Sequence, residues 1–189
     1  MGIQSWRETI TTAQTDGTAV TNTTPLTLLP SGARIIIPSN FWYIGKTLKI
    51  TALGRISNIV TSPGTLTLDV RTGPSGTIVC ANGGAMALNI VAKTNVTWSL
   101  EWYLTCRAIG SGTSANLMHV GKFMSESVIG SPLPSAGGSG VLLLPSSAPA
   151  IGTGWDSTAA NVIDLFATWS VNNAGNTLLL HQYMLEAMN

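Results

Sequence analysis

Polar and apolar residues alternate along much of this chain. Across Thr97–Ile109, Trp98, Leu100, Trp102, Leu104, Cys106 and Ala108 fall on one side. Thr97, Ser99, Glu101, Tyr103, Thr105 and Arg107 fall on the other. Successive side chains of a strand point to opposite faces, so this is a strand with one buried face; a helix would spread the same residues around its circumference. Lys46–Ile56 repeats the pattern with Leu48, Ile50, Ala52 and Ile56 inward, and Thr65–Arg71 with Leu66, Leu68 and Val70. Between these two lies Val60-Thr61-Ser62-Pro63-Gly64, whose turn chemistry predicts a hairpin or meander. Further strands are predicted at Arg34–Ile37, Thr77–Ala81, Ala85–Ile90, Ala115–Ser127, Val141–Leu144, Asn161–Val171 and Thr177–Met188. Asn82-Gly83-Gly84 reads as a loop between the second and third of these. Asn172-Asn173-Ala174-Gly175-Asn176 reads as a hairpin loop joining the last two. Several short strands with Gly/Pro turns, and no helical period held for three turns, predict an all-β antiparallel sandwich or barrel.

The last two predicted strands depart from clean alternation. Asn161–Val171 sets Ile163, Leu165, Ala167, Trp169 and Val171 toward a core, yet Val162 and Phe166 stand on its other face. In Thr177–Met188, Leu178, Leu180, Met184 and Met188 fall on one side and Leu179, Tyr183, Leu185 and Ala187 on the other. A strand apolar on both sides is covered on both sides. The cover expected here is a neighbouring subunit or the chain's own N-terminal residues. Residues 1–33, Thr-rich and anchored only by Trp6 and Leu26-Thr27-Leu28-Leu29, read as an N-terminal arm or as first strands. Residues 34–189 read as the sandwich domain. Within it, 130–160 is a long Gly/Pro/Ser-rich loop holding four of the nine prolines, a connection of the kind usually ordered by a partner or a function.

Composition sharpens the expectation of contact. Charged residues are 9% of 189, against about a quarter in an ordinary soluble domain. A formal net charge of +1 supplies almost no self-repulsion. The basic residues are scattered singly, so no nucleic-acid footprint is expected. No apolar run is long enough to span a membrane, and the first eight residues carry no apolar core of a secretion signal. Cys80 and Cys106 sit in no metal-ligand spacing and are expected as buried thiols.

The search for chemistry predicts no catalytic, cofactor-binding or metal-binding residue. Gly45-Lys46-Thr47 lacks the upstream glycine of a phosphate loop and precedes a strand, so a turn followed by a strand is expected. Nothing in the pattern places His119 or His181 beside a carboxylate. A glycosidase would need two of the eight carboxylates in one cleft, and Glu101 lies on the face opposite its strand's tryptophans. Trp98, Trp102 and Trp169 belong to core faces. Trp42, in Phe41-Trp42-Tyr43, and Trp155, in Gly154-Trp155-Asp156, lie in or near loops. Loop aromatics suit subunit contact or, alternatively, stacking on host glycans. The interface candidates are therefore Trp6, Trp42, Trp155, Val162, Phe166 and Met184.

Five segments resemble virion proteins of tailed bacteriophages. They are Phe41-Trp42 with Ile44-Gly45-Lys46-Thr47-Leu48-Lys49-Ile50-Thr51-Ala52 and Gly54-Arg55-Ile56-Ser57-Asn58; Pro63–Arg71; Trp98–Gly110; Gly154–Ala160; and Asp164–Ser170. The likeness covers most of residues 30–188. It implies a jelly-roll sandwich and a non-enzymatic role as a capsid decoration (cement) protein. Such a protein would be made in the host cytoplasm, would be a homotrimer on the capsid exterior, and would bind the major capsid protein without nucleic acid or membrane. A tail, baseplate or receptor-binding component touching host glycans is the alternative the same resemblance leaves open.

Overall fold

The computed structural model describes residues 7–128, 140–145 and 150–188. Its strands are β1 (Arg7–Thr12), β2 (Leu26–Thr27), β3 (Ile35–Ile37), β4 (Thr47–Asn58), β5 (Thr65–Thr72) and β6 (Ile78–Ala87). They continue as β7 (Lys93–Ala108), β8 (Ala115–Ser125), β9 (Val141–Leu144), β10 (Ala150–Trp155), β11 (Asn161–Trp169) and β12 (Thr177–Met188). One 3-10 turn, Ser31–Ala33, interrupts them.

Two antiparallel sheets pack as a sandwich. The larger runs β1-β12-β4-β7-β8, with β9 and β10 both pairing to β8; the smaller runs β2-β11-β5-β6, with β3 also on β11. The alternation read from the sequence sets the two inner faces. Leu48, Ile50, Trp98, Leu100 and Trp102 of the large sheet are buried, as are Leu66, Leu68, Leu165 and Trp169 of the small one. Such side chains each contribute roughly 1.5–3 kcal/mol on leaving water. Chain order switches sheets between β1 and β2, β3 and β4, β4 and β5, β6 and β7, β10 and β11, and β11 and β12. That interleaving is compatible with the predicted jelly roll.

The same switches overturn both predicted hairpins. β4 pairs with β12 and β7, and β5 with β11 and β6; β11 and β12 likewise lie in opposite sheets. Turn residues reverse the chain, but they do not decide whether the next strand joins the same sheet. A second correction concerns Asn82-Gly83-Gly84. β6 runs through it as one strand with a register shift opposite Thr67–Asp69, and the Asn82 side chain accepts a hydrogen bond from the Gly84 amide at 2.7 Å. Such a kink is a bulge, not a loop.

β12 carries the most instructive departure. Its pairing to β4 shifts register between Leu180 and Gln182, so the inward set is Leu178, Leu180, Tyr183, Leu185 and Ala187, all buried. The two apolar faces in the sequence are thus largely one face whose phase slips by a residue at a bulge. Opposite that bulge, Gly54 lets the Trp98 indole lie against the backbone. Its N–H reaches the Arg55 and Leu179 carbonyls, each at 3.1 Å. A Cβ at Gly54 would stand 1.9 Å from the Leu179 carbonyl oxygen.

Residues 7–29 fold onto their own sandwich. β1 pairs with β12, Gly17 and Val20 donate to the Leu180 and Leu178 carbonyls at 2.9 Å, and the Trp169 indole donates to the Val20 carbonyl at 2.9 Å. The N-terminal segment is therefore built from first strands and their connection, as far as it is described.

Candidate functional site

The sandwich presents two outer faces and two ends. On the large sheet, polar alternation places a row of charges across five adjacent strands. Arg7 pairs with Glu186 at 3.6 Å, and Glu186 stands opposite Lys49 in register. Lys49 and Lys122 share Glu101 at 3.6 and 3.1 Å. The hydrogen bond from Lys122, with the lysine charges, holds the Glu101 carboxyl below its ordinary range. Beside this row, the β8–β9 margin exposes Val120, Met124, Val141 and Leu143, the last by 63%. Met184 lies half-buried on this face, near Leu53 and Ala13.

The small sheet's outer face handles charge differently. Asp164, fully buried, pairs with the Arg34 Nε at 2.6 Å and accepts a hydrogen bond from the Thr27 hydroxyl. Asp69, on the adjacent strand, pairs with Arg71 at 3.4 Å, and the Arg71 guanidinium covers the Phe166 ring at 4.3 Å. Burial pushes both carboxyls above their ordinary range despite the arginines and the Thr27 hydroxyl. Asp69 and Asp164 are diagonal neighbours on paired strands. Each is closed over by its own arginine in a neutral cluster instead of facing open space. Val162 and Phe166 are half-buried here, and Ile36 opposite Val162 is 68% exposed.

The loop aromatics require a correction. Trp42 is 4% exposed and Trp155 is fully buried, their rings in edge contact at 5.3 Å, with Phe41 against Trp42 at 5.6 Å. The loop after β3 folds over one end of the sandwich, where Phe41 and Trp42 close the core against Trp155, the last residue of β10; Ala150–Trp155 is thus a strand within the segment 130–160 read as loop. Neither ring is available to stack on a glycan or anchor a neighbour. Trp6 lies outside the described residues. Gly45-Lys46-Thr47 is a turn leading into β4, with the Lys46 ammonium 4.1 Å from the Phe41 ring centre.

His119 faces the core and accepts a hydrogen bond from the Trp102 indole at 3.4 Å; burial lowers its basicity. His181 meets Asp16 at the surface at 2.9 Å. Cys80 and Cys106 are unbridged and buried, and burial pushes the Cys80 thiol up to about 12. Among the described residues no group of three His, Cys, Asp or Glu is placed to hold a metal ion, and no helix is long and apolar enough to cross a membrane.

Sequence reasoning missed the exposed aliphatics. Val60, Ile90 and Val91 are exposed by 61, 58 and 61%, Val60 in a segment read as a turn and Ile90 past the end of β6, where the predicted strand was read too long. Val120 and Met124 were legible in principle, since they alternate with inward Phe123. No protein-family model matches the chain, and no curated protein matches it.

Proposed function

We propose that this chain is a non-enzymatic structural protein of a phage virion, a decoration (cement) protein that stabilises the capsid exterior as an oligomer, with three copies as the expected number. One observation carries the reading. A chain with very few charges leaves many aliphatic side chains in water, among them Val60 with Ile90 and Val91, Val120 with Met124, Val141 and Leu143, and Ile36, Ile44 and Ile109 elsewhere. Contiguous exposed apolar surface marks contact with another macromolecule. A protein that acts by covering and clamping neighbours needs such surfaces on a rigid body, and the sandwich supplies the rigid body.

The test is direct. Purified protein is mixed with shells of its phage lacking it, and with host cells. Saturable binding to the shells and a raised shell melting temperature are the expected result. Binding to cells but not to shells would transfer the protein to the tail or receptor-binding role.

A further inference from the structure

Along the chain the nine Lys and Arg residues stand singly, and the fold gathers five of them on one surface. Arg7, Lys49, Arg55, Arg107 and Lys122 face outward on the large sheet, from β1 across to β8. The other four are tied down elsewhere. Arg34 and Arg71 pair with Asp164 and Asp69, Lys93 pairs with Glu126, and Lys46 is buried against the Phe41 and Tyr43 rings. Of the eight carboxylates, Glu101 and Glu186 alone share the outward face. Asp16 and Glu126 stand at its border, each beside a nitrogen of its own, His181 and Lys93. A chain of net charge +1 therefore has one basic face.

The cations on that face are poorly compensated. Arg55 donates to the Thr97 hydroxyl at 2.7 Å and the Asn95 carbonyl at 3.4 Å, both neutral. Arg107 is exposed and makes no ion pair among the described residues. Lys49 and Lys122 share one carboxylate, Glu101. Arg55 lies opposite Thr97 in register, so the two arginines bracket the two lysines along β7. Strand rise and spacing make this field roughly 30 Å long and 20 Å wide, about one partner's share of a small protein–protein contact. A single sugar or phosphate would cover little of it.

The side chains between the cations bear on what covers them. A nucleic acid would set phosphates against Glu101 in mid-field, and the face's one aromatic ring, Tyr103, is half-buried beside Lys49 instead of free to stack on bases. A folded protein can meet the arginines with carboxylates, Glu101 with a donor, and the adjoining Val120, Met124 and Leu143 with aliphatics of its own. A second copy of this chain offers no match. Its like face repels, and its small-sheet carboxylates are closed over by arginines.

We propose that the outer face of the large sheet docks, through Arg55, Arg107, Lys49 and Lys122, on an acidic patch of a different protein. Complementary charge of this kind sets orientation and speeds encounter. The proposal rests on the decoration reading above, in which that protein is the shell.

Shells of the phage lacking the protein, and immobilised poly-glutamate as a bare acidic polypeptide, are the probes for the full chain. R55Q/R107Q and S75E/T77E remove the same net charge, the first on the face and the second on the exposed loop between β5 and β6. Wild type is expected to bind shells with an affinity that falls as salt rises. R55Q/R107Q should bind about tenfold more weakly and S75E/T77E within about twofold of wild type. Both should melt within a few degrees of wild type, because all four side chains lie in water. Full affinity in R55Q/R107Q, equal losses in the two variants, or salt-independent binding would overturn the docking face. So would duplex DNA or phosphatidylserine vesicles that bind as tightly as shells, since the partner would then be a polyphosphate or a bilayer.

Poly-glutamate separates the two proposals. Wild type that binds shells without need of either arginine sinks the face and leaves the decoration reading. Wild type that ignores shells but is held on poly-glutamate, with R55Q/R107Q released, sinks the decoration reading and leaves the face. Failure on both probes sinks both.

Discussion

The two outer faces of the sandwich follow the same alternation and treat their charges in opposite ways. On the large sheet Lys49, Glu101 and Lys122 form a row in contact with water. On the small sheet Asp164 and Asp69 are buried beneath Arg34, Arg71 and Phe166. The difference comes from what crosses each face. Strands β2 and β3 and the turn between them bring Thr27 and Arg34 over β11, whereas on the large sheet Glu101 and Lys122 keep 35 and 49% of their side-chain surface in water and the row's β12 member, Glu186, is buried beside Arg7. An outward position in a strand therefore does not by itself mean a solvated charge. Ion pairs in water contribute little, while a buried one is costly to break from one side.

Four experiments would break or sharpen that contrast. Arg34→Ala should have the largest effect, about 3 kcal/mol lost in denaturant unfolding, because it leaves the Asp164 carboxylate buried and unpaired. A loss below about 1 kcal/mol would mean that water reaches Asp164 and that the two faces are alike. Phe166→Ser should cost about 1–2 kcal/mol through lost packing and the lost guanidinium contact with Arg71. Glu101→Gln, removing the centre of the exposed row, should cost no more than about 1 kcal/mol, and that cost should shrink in high salt.

The finest test is the sign of the pH dependence. Burial raises the folded-state carboxyl of Asp69 above its ordinary value of 3.8. The folded state then takes up that proton before the unfolded chain does, so the Asp69 contribution to stability grows as pH falls from 7 and is complete below 3.8. Glu101 is held below its ordinary 4.5. Its contribution is complete above 4.5 and is lost as pH falls through the lower folded value. Unfolding curves of Asp69→Asn and Glu101→Gln, each subtracted from wild type across pH 7 to 3, should therefore slope in opposite directions. Parallel slopes would erase the distinction between the faces.

Legibility varied with the range of the interaction concerned. The strands β4, β5 and β7 were plain from period-two alternation, because that pattern and the burial of one face are the same physical fact. Register slips were invisible. The bulge in β12 turned one core face into two apparent apolar faces, and Gly54, which accommodates Trp98 beside it, carried no signal that a pattern of polarity could report. Sheet partners were misread wherever a short turn suggested a hairpin, since turn chemistry is local and pairing is not. Among the interface candidates, Trp42 and Trp155 were placed outside because loops usually are; here the loop bearing Trp42 folds back as a lid on the core, and Trp155 ends β10, a strand within the segment 130–160 read as loop. Val162, Phe166 and Met184 do lie on outer faces, half-buried.

By itself the sequence determined the class of architecture, an all-β sandwich, and most of its inward residues, because strand geometry converts alternation directly into burial. It also determined that little charge would be available to keep copies apart. Only the tertiary structure decided which strands share a sheet, where Asp69 and Asp164 find their arginines, and that Asn58 and Asn176 hold Val60, Ile90 and Val91 outward. Apart from the Asp69–Arg71 pair, two positions apart on one strand, those outcomes depend on residues brought together from about 30 to more than 130 positions apart in the chain, a closure that no local pattern of polarity encodes.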